Sequence, residues 1–257
     1  MRSAIEALDG ADGSLLSEYD RGVKENLAIL ARAYQAWEQI RIGDFLNLYS
    51  QANLRAKELA PFRLRPEQRE ALERLRDDCQ AGRPSPLVCV EMRNGAERLL
   101  REGHLDAATQ RLYRALEILA HYCLEQRHGI AADDLDTRKA PPRDRARFEA
   151  MRSLDDGLIK IGLRKAYELL MLLEDPVGID FSADEALADA LRKRDYSLMA
   201  HGMNAISAED VRAFLRAASA FFLRHIEDFS GLCRALRFPW FAPEEAERAH
   251  APNGREA

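Results

Sequence analysis

Apolar residues return at intervals of three and four along most of the 257-residue chain, the period of helices that bury one face. The repeat is clearest over 87–140, up to the first of two adjacent prolines, and over 177–238, and neither stretch contains a proline to interrupt a helix. The spacing predicts helices at 21–41, 44–60, 66–81, 87–102, 105–127, 157–174, 183–200 and 208–235. No segment sustains the two-residue alternation of an amphipathic strand, and Val88-Cys89-Val90 is too short to count as one. The predicted fold is all-α.

Breaks in the pattern divide the chain. Ala81-Gly82-Arg83-Pro84-Ser85-Pro86 cannot continue a helix, so a helical adaptor at 1–85 is expected to precede a helical domain at 86–236. Residues 237–257 open with Phe238-Pro239-Trp240-Phe241 and continue as a charged stretch, which reads as an aromatic clip followed by disorder. Residues 129–156 read as a loop-like insertion carrying Pro141 and Pro142. From Arg138 through Lys165 there are nine basic and four acidic residues, either a solvated charged loop or a landing site for a phosphate backbone.

Composition narrows the class of function. Hydrophobic residues make up 47% and charged residues 32%, with 38 basic and 43 acidic side chains and a net charge of −5. That balance argues against a protein that coats nucleic acid wholesale, while leaving room for a local basic site. Cys79, Cys89, Cys123 and Cys233 form no C-x-x-C pair and are expected to be reduced, buried thiols. Arg2, Glu6, Asp9, Asp12, Glu18 and Asp20 would interrupt the apolar segment of a secretory signal, so none is expected in these first twenty residues. No uncharged apolar run approaches the length of about 18 residues that a membrane span needs. A cytoplasmic protein without a membrane partner is expected.

Most familiar chemistries lack their residues. The sequence has neither a G-x-x-x-x-G-K-[ST] loop nor a G-x-G-x-x-G turn nor an H-E-x-x-H pair. His121 and Cys123 project about 200° apart on a helix and cannot share a metal ion there. Neither a metal nor another cofactor is predicted. What remains is Arg194-Asp195-Tyr196-Ser197-Leu198-Met199-Ala200-His201-Gly202. A histidine titrates near neutrality and can take or return a ribose hydroxyl proton, while an arginine can fork onto phosphoryl oxygens. If both lie on one helix closed by Gly202, residues seven apart share a face about 10 Å apart in rise. Spacing alone does not single out this pair. Arg98 with His104 and Arg114 with His121 qualify equally, and the composition makes that many matches expected.

Context does separate them. Arginine, an acid or amide, then serine and Ala-His-Gly resembles the HEPN ribonuclease signature, R-[N/D/H]-x-x-x-x-H with variable spacing. Upstream, Asn94-Gly95-Ala96-Glu97-Arg98, Leu105-Asp106-Ala107-Ala108, Arg111-Leu112-Tyr113-Arg114-Ala115-Leu116-Glu117 and Tyr167-Glu168-Leu169-Leu170 extend the likeness. Together these strings resemble the HEPN half of CRISPR-associated type III CARF-HEPN ancillary ribonucleases, over about residues 20 to 235.

The resemblance implies a homodimer with a composite active site that cuts single-stranded RNA without a metal and leaves 2′,3′-cyclic phosphate and 5′-hydroxyl ends. It places His201 as acid and base, Arg194 as phosphate clamp, and Asp195 or Ser197 as orienting groups. Asp195 departs from the family's usual asparagine. Its charge would sit beside a substrate phosphate, or would instead salt-bridge and orient Arg194. Tyr113, Leu116, Leu119 and Ala120 are expected in the core, and Glu117 is expected to pair with Arg114 or to support the catalytic arginine. The 257 residues lack the alternating strands and helices of a CARF sensor, so that sensor is expected to be missing or separate. Two other readings stay open: a non-catalytic helical dimerisation module, and a HEPN toxin paired with an antitoxin.

Overall fold

The structure, a computed structural model, describes Gly10 and residues 16–197 and 202–239. It is all-α: the helices among the described residues are α1 (Glu18–Glu38), α2 (Ile42–Gln51), α3 (Pro66–Gln80), α4 (Pro86–Arg101), α5 (Leu105–His128), α6 (Arg145–Glu149), α7 (Leu163–Leu172), α8 (Pro176–Ala183), α9 (Glu185–Asp195), α10 (Ala208–His225) and α11 (Phe229–Ala235). Short 3-10 turns cover Lys57–Phe62, Thr137–Lys139 and Pro142–Asp144. Among the described residues β pairing is limited to one isolated bridge between Ser197 and Asn204.

Contacts divide the chain into two compact units, 1–76 with 235–257, and 77–234. In the first, α1 starts at Ser17, whose side chain accepts the Asp20 N–H and so satisfies one of the free donors of the first turn. Its buried face presents Tyr34 and Trp37 to Phe45 of α2. Phe238 completes this aromatic cluster, with ring centroids 4.6 Å from Trp37 and 5.1 Å from Tyr34. The first aromatic residue of the expected clip is thus a core residue, whereas Trp240 and everything after it lie outside the described residues.

The second unit is built around α5, which packs on α4, α7 and α10. Leu112, Ala115, Leu116 and Leu119 recur at three- and four-residue spacing and are fully buried. Tyr167 of α7 stacks on Phe181 of α8 with centroids 3.6 Å apart, and its hydroxyl donates to the Leu116 carbonyl. Helix α10 opens with a capping box at Ser207 and Asp210 and covers α9, whose Leu187 and Leu191 point inward.

Several expected helices end elsewhere. The segment expected to be helical from 157 begins at Leu163, because residues before it pair their backbone with the loop: Leu135 N–H donates to Ile159 and Ile161 N–H to Ala132. The expected helix at 208–235 is two helices, separated at Asp228, which has a φ of 47°. Helix α8 starts at Asp175-Pro176, where the Asp175 side chain caps Val177 N–H and proline sits in the first turn. Helix α9 stops at Asp195 rather than at 200.

The basic stretch 138–165 spends most of its cations locally. Arg138 pairs with Asp136, Arg143 with Asp144, Arg152 with Glu149 and Lys160 with Asp156. Arg147 and Lys165 share Glu168, and Arg145 donates to the carbonyls of Ala140 and Arg138. Of this group, Arg164 reaches Asp195 of α9.

Candidate active site

Arg194 occupies the last turn of α9, and the way that turn closes fixes it. Tyr196 N–H donates to Arg192 and Ser197 N–H to Arg194, which tightens the helix end. The chain then returns: Gly202 N–H donates to the Ser197 carbonyl at 3.0 Å and Asn204 N–H to the Tyr196 carbonyl at 3.2 Å. Gly202 lies so close to this helix end that a Cβ there would stand 1.9 Å from the Tyr196 carbonyl oxygen. The glycine therefore closes a return loop, and no helical cap forms at it. The helix expected to carry both Arg194 and His201 ends at Asp195, and Ser197 is already in the bridge to Asn204. His201 itself, with residues 198–200, lies outside the described residues.

Arg194 is held from three sides. Its guanidinium carbon stands 4.2 Å from the ring centroid of Tyr113 on α5, a cation–π distance. Nη2 donates to Gln110 Oε1 at 3.3 Å and Nη1 to Asp195 Oδ1 at 3.1 Å. The side chain is 15% exposed, and its Nε is buried without a hydrogen-bond partner.

Asp195 divides its carboxylate between two cations, Arg194 through Oδ1 and Arg164 through Oδ2 at 2.5 Å. The triad Arg164–Asp195–Arg194 keeps a net charge of +1. Ser197 is 4% exposed and joins the site through its backbone, as the residue on which the return loop is tied. The structure thus brings Arg194 and Asp195 into direct contact and places Ser197 at the turn behind them.

Gln110 and Tyr113 did not stand out in the sequence as site residues. Tyr113 falls in the hydrophobic pattern of α5, yet it is only half-buried and its ring faces Arg194. Burial pushes its hydroxyl pKa up, with the Glu117 charge adding to the effect and Arg194 opposing it. The available signal is spacing: Gln110, Tyr113, Arg114 and Glu117 lie at i, i+3, i+4 and i+7, one side of a helix. Glu117 pairs with Arg114 and also accepts the Leu163 N–H at 3.0 Å. It thereby caps α7, whose own N-cap position is Gly162, which has no side chain to do so.

The other two arginine–histidine pairs are committed elsewhere. Arg98 is buried on Glu91 at 2.6 Å, and His104 is exposed at the start of α5. Arg114 holds Glu117, while His121 bonds the Ile161 carbonyl at 3.1 Å; burial lowers the His121 pKa, against the Glu117 charge.

Among the described residues no group of three or more His, Cys, Asp or Glu side chains is placed to hold a metal ion, and no helix is long and apolar enough to cross a membrane. No curated protein matches the chain. The family model described as Csm6 HEPN domain matches residues 83–224. That span is more than half the sequence and contains Gln110, Tyr113, Arg164, Arg194 and Asp195. With the all-α bundle around α5, this match means that the chain belongs to the CRISPR-associated Csm6 HEPN-domain family.

Proposed function

We propose that the chain is an endoribonuclease that cuts single-stranded RNA without a metal ion, as a homodimer with a composite cleft, in CRISPR-type antiviral defence. The posture of Arg194 carries this reading. A guanidinium held against Tyr113 and tethered by Gln110 and Asp195 has little side-chain freedom left to lose, so it can meet the charge that grows on a phosphoryl group without reorganising. His201, seven residues on in the same family-matched segment, supplies the proton chemistry.

In the reaction, His201 takes the proton of a ribose 2′-hydroxyl as that oxygen attacks the neighbouring phosphorus. The P–O5′ bond breaks, the 5′ oxygen takes up a proton, and the products are a 2′,3′-cyclic phosphate and a 5′-hydroxyl. One imidazole cannot be base to the attacking oxygen and acid to the leaving one in a single step. A second His201 across a two-fold axis fills the other role. Met203, 86% exposed on the same return loop, supports assembly through this face. Asp195 acts as a positioning residue for Arg194, and Ser197 anchors the loop. A flexible single strand is the substrate because the attacking hydroxyl must swing in line with the leaving oxygen.

The test is cleavage of a labelled single-stranded RNA in excess chelator. His201→Ala and Arg194→Ala should each lower the rate by about 10²–10⁴-fold with unchanged helical content, and the products should carry cyclic phosphate ends. Unchanged cleavage by either variant refutes the assignment.

A further inference from the structure

At the C-terminal end of α9, next to the Asp195 carboxylate that Arg194 contacts, lies an open cleft of about 450 Å³ lined by Arg164, Ala188, Arg192, Asp195 and Tyr196. We propose that this cleft is a nucleotide subsite of the RNA path, in which Tyr196 stacks on a base next to the scissile phosphate while Arg164 and Arg192 hold the strand's phosphates. The inference rests on the ribonuclease reading above and adds to it where the substrate lies.

Three observations converge on it. First, Tyr196 is 60% exposed although its backbone is pinned at both ends. Its N–H donates to Arg192, its carbonyl accepts from Asn204, and Gly202 packs against that carbonyl. A fixed backbone carrying an outward aromatic ring is a stacking platform, since every base offers a π face.

Second, Ala188, Arg192 and Asp195 follow one another at spacings of four and three, so they share a face of α9. The exposed alanine leaves this part of the cleft wall low. The cleft volume falls within the range of about 300–1,000 Å³ of small-molecule sites.

Third, the wall is cationic in a protein that is acidic as a whole. Asp195 serves both Arg164 and Arg194, and Asp189 serves both Arg192 and Lys193, at 3.3 Å each. Among the lining residues themselves, two cations, Arg164 and Arg192, stand against the single carboxylate of Asp195, which Arg194 also engages. The Arg192 contact is long and exposed, so it exchanges readily for a phosphate.

The experiment separates binding from cleavage. A labelled RNA oligonucleotide with 2′-O-methyl groups lacks the attacking hydroxyl, and its affinity for the full chain is read by fluorescence anisotropy across a salt series. Tyr196→Ala should weaken binding by about 5- to 150-fold, the range of base–aromatic stacking, and Tyr196→Phe should restore it. Arg192→Ala should flatten the slope of log Kd against log salt by about 0.7, the share of one single-strand phosphate contact.

If the wild type binds this probe in a Tyr196- and Arg192-dependent way yet cleaves no unmodified RNA, the subsite stands and the ribonuclease reading falls. If it cleaves but both variants keep wild-type affinity and salt slope, the subsite is overturned. A change of mass on Tyr196→Ala with an unchanged Arg192→Ala slope would reassign the cleft to a subunit contact. Displacement of the oligonucleotide by an equal concentration of free 5′-mononucleotide would overturn the assignment to an RNA strand.

Discussion

The guanidinium carbon of Arg194 stands over the ring of Tyr113, 4.2 Å from its centroid, although the two residues belong to different helices. The contact ties α5, the centre of the bundle, to the last turn of α9, where Gln110 and Asp195 also hold the guanidinium.

Tyr113 should accordingly act through its ring face. A cation–π contact of a partly desolvated pair contributes about 0.5–2 kcal/mol, so Tyr113→Ala should lower kcat for RNA by about 2- to 30-fold, with KM changed less. Tyr113→Phe keeps the face and should keep the rate. Equal losses in both variants would show that the hydroxyl, rather than the ring, is what the site uses.

Asp195 should act through its charge. It offsets one of the two arginines it joins. Asp195→Asn keeps an acceptor for Arg194 and frees Arg164 for phosphate. The variant should bind single-stranded RNA more tightly, with a salt slope steeper by about 0.7, and should cleave at least as fast as the wild type. A weaker, less salt-dependent complex would show that the carboxylate is needed to hold both arginines in place.

The helices of the second unit were largely legible because their signals are local. Ser85 before Pro86, Asp175 before Pro176 and Ser207 with Asp210 mark helix starts that the structure uses, although Asp175-Pro176 did not suggest a separate helix α8 to the periodicity alone. The early end of α9 was not legible. Nothing from Arg194 to Ala200 is a proline or glycine; the stop comes from the bridge of Ser197 to Asn204 and from the close seat of Gly202. Tyr113 was hidden for a related reason. Its apolar ring fits the core pattern of α5, and only the arrival of Arg194 from α9 turns that ring into part of a site.

Gly202 makes a prediction of its own. Any Cβ at this position meets the Tyr196 backbone, which cannot move as a flexible side-chain tip would. Gly202→Ala should cost about 1–3 kcal/mol, typical of overpacking, and should displace the loop that leads back from His201. RNA cleavage should be lost while helical content by circular dichroism stays near wild type. A fully active variant with an unchanged melting temperature would mean that the loop relaxes without cost and does not set the site's geometry.

Acid should destabilise the protein in two steps. Burial pushes the pKa of His121 and of His225 below the ordinary value, with Glu117 and Asp180 respectively opposing it. For a histidine depressed in the folded state, the unfolded chain binds more protons between the folded value and the unfolded one of about 6.5. Stability is then fully present above that pH and falls as the pH drops below it. Asp175 supplies the lower step. Burial raises its pKa, but the hydrogen bonds from His128 and Val177 and the charge of Arg127 outweigh burial and hold it below the usual value of 3.8. Its contribution is present above about pH 3.8 and is lost as the pH falls through the folded value. Urea unfolding between pH 8 and 5 should show stability declining below about 6.5, with a smaller slope in His121→Gln, which keeps a donor near Ile161 without a titrating ring. Asp175→Asn should be less stable than the wild type at pH 7, and its stability should change less below pH 4. A wild-type stability that stays flat from pH 7 to 5 would mean that the histidines are protonated in the folded state as easily as in the unfolded chain.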